Sequence, residues 1–202
     1  MKIGVTKNPK YINDIVEIHM DTFTGFFLTF LGRGFLKTLY KGFMDHPYSG
    51  VILAIEDDKP IGFCAFSEDL SGFYKYLIRR KLPLFAWYAA GAFFRNPKVV
   101  FRLLRAFTYS RDSKREELYV ELSSIGVLSK AKNAGVGSKL IKMLCNITDA
   151  NKFDYIKLET DRDDNEGANY FYRKNGFVLV HSYETPEGRG MNEYRYYLRD
   201  EK

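Results

Sequence analysis

Cysteine is scarce. Only Cys64 and Cys145 occur, too few for a disulfide framework. Both lie among apolar neighbours, so both are expected as buried free thiols in a reducing compartment. The three histidines, His19, His46 and His181, show no metal-ligand spacing with either cysteine; no structural zinc and no other metal is expected. No apolar run approaches the roughly 20 residues of a membrane-spanning helix. The opening MKIGVTKNP lacks the apolar core of a secretory signal, which points to a cytoplasmic chain. Internal repeats and low-complexity tracts are absent. What remains is ordinary in bulk. The chain is 46% hydrophobic and 28% charged over 202 residues, enough for one globular domain, 1–202, with a sizeable core. The net charge of +6 is uneven. Between residues 70 and 115, eleven Lys and Arg face one acid, Asp112, so the rest of the chain is net acidic and the basic character belongs to one segment.

Residues 124–144, SIGVLSKAKNAGVGSKLIKML, carry the most information. Ile125, Val127 and Leu128 end a strand. Residues 130–137 make a glycine-bearing turn. Leu140, Ile141, Leu144 and Ile147 then recur at helical spacing. The turn lies at the helix start, where backbone N–H groups lack intrahelical partners and the dipole is positive. Gly135 and Gly137 have no Cβ, so a ligand is expected to approach the backbone closely there. Together these features suit a phosphate or pyrophosphate. A Walker loop needs G-x-x-x-x-G-K-[ST], and only G-x-G-S-K is present. A dinucleotide fingerprint needs a third glycine, and Leu140 stands in its place.

The turn K-N-A-G-V-G, Lys132 to Gly137, resembles the coenzyme A pyrophosphate loop of the GNAT acyltransferases, [QR]-x-x-G-x-[GA], with Lys in the Gln/Arg place. Lys keeps the positive charge and loses the planar multi-donor group. A second block, N-E-G-A-N-Y-F-Y-R-K-N-G-F, resembles the C-terminal GNAT pattern N-x-x-A-x-x-[FL]-Y-x-x-x-G-F through Asn165, Ala168, Phe171, Tyr172, Gly176 and Phe177. About 30 residues separate the blocks, room for one helix, one turn and the strand 155–160.

The resemblance implies an α/β (α+β) GNAT fold: a mixed, mostly antiparallel central sheet flanked by helices. The chain supports that order. Strands are expected at 3–6, 51–56, 60–67, 119–128, 155–160, 178–184 and 193–198. Helices are expected at 11–20, 34–44, after the turn at 137, and across the second block. A hairpin is signalled at E-D-D-K. Ser123 and Ser124 suggest either a bulge in the fourth strand where pairing stops or, more simply, polar edge residues. Residues 70–117 form an insertion between the third and fourth strands. Two helices are expected there, 82–94 and another from Asn96-Pro97 to about 107, packed as a lid or flank.

The resemblance further implies acetyl-CoA as acyl donor and a primary amine of a small molecule as acceptor. The backbone of Ile125, Gly126 and Val127 would pair with the pantetheine arm. The loop of Lys132, Asn133, Ala134, Gly135, Val136, Gly137 and Ser138 would hold the pyrophosphate, and Asn165 the coenzyme tail. Acyl transfer also needs a base for the amine and an acid for the leaving thiolate. Glu121 is the first choice of base, with Glu159 second, and an exposed salt-bridged Glu121 is the plain alternative. Tyr172 is the expected acid. Phe23, Phe26, Phe27 and Phe30 are expected as core more than as an acceptor pocket. The basic insertion suggests an anionic acceptor, a nucleotide-linked amino sugar or a lipid-linked one reached from an anionic inner-membrane surface through residues 79–105. A solvated basic face on a lid, or a homodimer contact, explains the same charges more simply. No motif supports specific nucleic-acid binding. A non-catalytic acyl-CoA-binding or membrane-associating module on the same fold is the alternative function.

Overall fold

Asp57 and Asp58 both take positive φ, 48° and 59°. That is the backbone of a tight two-residue hairpin, and it joins β2 (Ser49–Glu56) to β3 (Lys59–Ser67). The computed structural model describes residues 1–93 and 118–199. Around this hairpin the described chain runs β1 (Lys2–Thr6), α1 (Ile12–Thr22), α2 (Phe27–Phe30), α3 (Gly32–Asp45), β2, β3 and α4 (Leu70–Phe93). It continues through β4 (Tyr119–Val127), α5 (Val136–Ile147), β5 (Tyr155–Asp161), α6 (Glu166–Lys174), β6 (Val178–Glu184) and β7 (Gly190–Tyr197). The strands form one sheet in the order β1-β2-β3-β4-β5-β7-β6. Every neighbouring pair is antiparallel except β4 and β5. This is the mixed, mostly antiparallel sheet flanked by helices that the motif order implied.

The period-2 alternation of strands divides the core between two faces. Val51, Leu53, Phe63 and Ala65 meet Ile15, Val16, Phe35, Leu36 and Tyr40 of α1 and α3 on one face. Ile52, Ala54 and Cys64 meet Leu140, Ile141 and Leu144 of α5 on the other, continuing to Ile156, Leu158 and Tyr194. Each fully buried Leu, Ile or Phe contributes about 1.5–3 kcal/mol. Two expected core positions lie further out: Ile147 is 38% exposed at the end of α5, and Cys145 is half-buried rather than buried. Both sit where the helix leaves the sheet.

The insertion differs from expectation in its first half. Its helix begins at Leu70, not at 82. Asp69 caps it, accepting the Gly72 N–H at 2.8 Å, which supplies one of the donors a helix start leaves open. Phe73 and Leu77 are fully buried, and Phe73 stacks on Phe43 of α3 with ring centroids 4.1 Å apart. These turns of α4 are core, not a lid. The helix expected from Asn96 lies outside the described residues. No helix among the described residues is long and apolar enough to cross a membrane.

Candidate active site

β4 and β5 pair over three positions only: Tyr119 with Tyr155, Val120 with Ile156, and Glu121 with Lys157. Beyond Glu121 the two strands part. β4 follows β3 to Val127, and β5 follows β7 to Asp161. At the same level Leu122 pairs with Phe66 and Ser124 with Ala65, leaving Ser123 as the extra residue of a bulge at the serine pair. The bulge resets the alternation of β4. Glu121 and Ser124 now share the face of α1, α3 and α4: Ser124 Oγ lies 3.3 Å from Tyr40 Oη, and a Cβ at Gly126 would touch Phe63, Thr22 and Ile18. Ile125 and Val127 pack toward the α5 face. The backbone alternates too. The Leu128 N–H donates to the Ile61 carbonyl at 2.9 Å, so Gly126 and Ser124 also direct their backbone groups at β3. Ile125 and Val127 direct theirs into the opening, where Thr22 Oγ1 reaches the Val127 carbonyl at 3.1 Å. Of the three residues expected to pair with a pantetheine arm, Ile125 and Val127 therefore face the opening and Gly126 does not.

After β4 the chain turns at Ser129–Ala131. Asp21 of α1 holds this turn, accepting the Ser129 N–H at 2.6 Å. That bond, and then the charge of Lys132, keep the Asp21 carboxyl below its usual range. Lys132, Asn133, Ala134 and Gly135 are exposed. Asn133 and Gly135 have φ of 66° and 72°, the left-handed region that Asn and Gly enter most readily. α5 then starts without a side-chain cap. The N–H groups of Val136, Gly137 and Ser138 have no partner inside the helix and sit at its positive end. The two glycines differ in role. A Cβ at Gly135 would meet nothing within 4 Å, whereas one at Gly137 would stand 2.9 Å from the Phe171 ring. Gly137 lets α5 meet α6, so the Phe171 ring takes the space that its missing Cβ leaves. This contact joins the two motifs. Helix-start amides without intrahelical partners, positive φ at Gly135 and the Lys132 charge fit a pyrophosphate.

Asn165 precedes α6, its Nδ2 donating to Thr160 Oγ1 at 2.8 Å and to the Asp161 carbonyl at 3.2 Å. Its amino group is thus committed to β5, and its Oδ1 is the atom left for a coenzyme tail. Asn169, missed in the sequence, is buried. It donates to the carbonyls of Asp161 and Asn165 at 2.9 and 2.8 Å, and accepts from Asn192 and Tyr194 at 2.9 Å each. It therefore ties α6 to β5 and β7, and its signal was a second Asn four residues after the first. Tyr172 lies half-buried among Phe171, Phe177 and Tyr194 on the α5 face. Burial, then the neighbouring Cys64, push its phenol well above the usual range, so it keeps its proton.

The opposite face of the parting is polar. Glu121 is buried beside Lys157. Burial alone would lower the Lys157 ammonium, but the Glu121 and Glu159 carboxylates outweigh it and hold it well above its usual range. Lys157 Nζ lies 2.8 Å from Glu159 Oε1 and 3.7 Å from Glu193 Oε2. Tyr183 Oη donates to Glu159 at 2.8 Å. Burial, Glu121 and Glu159 together raise the Tyr74 phenol, which brings α4 to the same site. Lys157 and Tyr74 were not singled out in the sequence; only the parallel register and the α4 crossing place them here. Arg189 forks onto Asp161, and its guanidinium lies 5.9 Å from the Phe26 ring. The β6–β7 turn thus reaches the segment after α1. Phe23 and Phe26 are half-buried there, while Phe30 is 57% exposed and not core.

A family model of the acetyltransferase (GNAT) family matches residues 12–177. The chain belongs to this family. It is an N-acetyltransferase that takes its acetyl group from acetyl-CoA. No curated protein matches it. Among solved structures, it is similar to a protein described as a GNAT acetyltransferase from Desulfovibrio desulfuricans, with TM-score 0.66, 14% identity, and 98% of this chain and 99% of that chain covered. It is likewise similar to an aminoglycoside 6'-acetyltransferase type Ii, with TM-score 0.64, 15% identity and both chains fully covered. A third is described as a streptothricin acetyltransferase from Bacillus anthracis in complex with acetyl coenzyme A, with TM-score 0.51, 16% identity, and 78% of this chain and 67% of that chain covered.

Proposed function

We propose that the protein acetylates the primary amine of a small molecule at the parting of β4 and β5, with Glu121 as base and Tyr172 as acid. One observation carries this reading: the strands separate immediately after the Glu121–Lys157 pair, with the Glu121 carboxylate on the face of α1, α3 and α4 and the Tyr172 phenol packed on the α5 face. The loop from Lys132 to Ser138 would hold the pyrophosphate, the Ile125 and Val127 backbone the pantetheine arm as an added strand, and Asn165 the coenzyme tail. Coenzyme binding supplies an activated thioester in the opening. Glu121 takes a proton from the amine, directly or through a water. Tyr172 gives its proton to the departing thiolate, which a neutral phenol can do and a phenolate cannot. Holding amine and thioester together supplies much of the rate.

The carboxylates of Glu121, Glu159 and Glu193 support an acceptor whose entering end is an ammonium group. The basic tract of residues 79–105 supports an anionic carrier behind that end, a nucleotide- or lipid-linked amino sugar. The test is thiol release from acetyl-CoA with a panel of simple amines, nucleotide amino sugars and their lipid-linked counterparts. Turnover with an amino sugar, weakened by neutralising Arg79 and Arg80, supports the finer reading. Turnover confined to simple polyamines would overturn it and leave the acetyltransferase in place.

A further inference from the structure

A buried file of polar atoms runs from α1 through α3 to the bulge of β4. His19 Nδ1 lies 2.6 Å from Tyr40 Oη, and Tyr40 Oη lies 3.3 Å from Ser124 Oγ. His19 and Tyr40 are 2% and 1% exposed, set among Ile15, Ile18, Phe35 and Phe63. His19 Nε2 has no hydrogen-bond partner among the described residues. Such a group is costly in an apolar core, and packing alone gives no reason to keep it.

The distances set the direction of the file. A separation of 2.6 Å is short for an N–H donor and ordinary for an O–H donor. On this spacing Tyr40 is assigned as the donor to His19 Nδ1. Its single proton is then used, so its oxygen can only accept, and Ser124 must donate to it. Ser124 is left with a committed proton and free lone pairs. It is half-buried, stands on the same face as Glu121 because of the bulge, and is followed by Ile125, whose backbone faces the opening.

We propose that Ser124 Oγ accepts an N–H of the incoming amine, and that Tyr40 and His19 are positioning residues that hold it in that acceptor role. This rests on the acetyltransferase reading above. Once the entering ammonium has lost one proton to water, the neutral primary amine carries two N–H bonds and one lone pair. With one N–H directed to Ser124 and the other toward Glu121, the lone pair is aimed at the thioester carbon. The nitrogen forms its bond to that carbon, the C–S bond breaks, and Glu121 removes one proton. The N–H on Ser124 is never transferred and survives in the amide product.

Because the product keeps that N–H, the test needs no knowledge of the natural acceptor. Coenzyme A alkylated on sulfur with –CH2–CO–NH–CH3 carries an amide N–H just beyond the sulfur; the methyl ester –CH2–CO–O–CH3 lacks it. Calorimetry on the wild type should show the amide binding about three- to tenfold more tightly than the ester. In Ser124→Ala, and in Tyr40→Phe, which keeps the ring, the ratio should fall to about one, with the affinity for coenzyme A itself unchanged. A variant that merely disturbed the fold would weaken all three ligands together; an amide-to-ester ratio kept in such a variant refutes the proposal. An unchanged ratio in Ser124→Ala refutes Ser124. A ratio lost in Ser124→Ala but kept in Tyr40→Phe removes Tyr40 and His19. Failure of coenzyme A to bind the wild type overturns the site on which the proposal stands.

Discussion

Mild acid should destabilise the fold through His19. The ring is 2% exposed, and burial lowers its pKa from 6.5 to about 4. The folded chain therefore keeps His19 neutral down to about pH 4, while the unfolded chain takes up a proton near 6.5. Between those values the unfolded state binds more protons, so stability falls as pH falls through this window and levels off below it. At roughly 1.4 kcal/mol per pKa unit the whole gap is worth about 3 kcal/mol, of which about 2 kcal/mol is gone by about pH 5. Against a typical domain stability of about 5–15 kcal/mol that is a large loss. His46, also buried, is lowered first by its burial and acts with the same sign, so wild type alone does not isolate His19. His19→Gln does: Gln still offers Tyr40 an acceptor and does not titrate. Urea unfolding at about pH 7.5 and about pH 5 should show wild type losing about 2 kcal/mol more than the variant. Equal losses, or an imidazole resonance of His19 that titrates near its ordinary value, would refute the reasoning.

Tyr172→Phe should lower turnover by about a hundredfold or more while leaving the calorimetric affinity for coenzyme A unchanged; an unaltered rate would remove Tyr172 from the chemistry. Glu121→Gln should lower kcat/KM by about 10²–10⁴ in the thiol-release assay near neutral pH; an unaltered value would remove Glu121 as the base. Gly135→Ala forces a side chain into φ of +72°, a strain of about 1–2 kcal/mol, visible as a lower melting temperature together with weaker coenzyme binding. Phe73→Ala should cost about 3–5 kcal/mol in urea unfolding; a loss within about 0.5 kcal/mol, as for a surface site, would return α4 to the role of a lid.

Elements whose signals are local were legible. The hairpin at Asp57-Asp58 rests on turn chemistry, and β4, α5 and β5 on periodicity within a dozen residues. The start of α4 was not, because Phe73 and Leu77 stand among Lys75, Arg79, Arg80 and Lys81, and what buries them is α3, a distant part of the chain. The candidate site, as proposed, divides the same way. Lys132 to Ser138, Asn165 and Tyr172 came from two short motifs. Lys157 depends on the parallel register of β4 and β5, Tyr74 on how α4 crosses the sheet, and the His19–Tyr40–Ser124 file on three elements meeting. Gly137 shows the limit of a motif. The residue type announces a close approach, but whether a ligand or the Phe171 ring approaches is decided in three dimensions.

The bulge at Ser123 connects these observations. Slipping a strand by one residue turns every side chain to the other face. Without the extra residue, Ser124 and Gly126 would point at α5, and Ile125 and Val127 would be driven against α1 at the place where Phe63, Thr22 and Ile18 leave room only for a glycine. With it, Ser124 joins Glu121 on the polar face while the apolar pair stays with α5. A bulge also sharpens local twist, and here it falls at the level where β4 and β5 separate. One inserted residue thus coincides with the opening and sorts the groups that line it. The outcome is a backbone edge at Ile125 and Val127 inside the sheet, not at its rim, that no strand among the described residues pairs and where Thr22 holds only the Val127 carbonyl. Proteins ordinarily pair or cover such edges. An interior edge left open beside an uncapped helix start is what the proposed coenzyme site requires: a place for a strand-like ligand that carries its phosphates at one end.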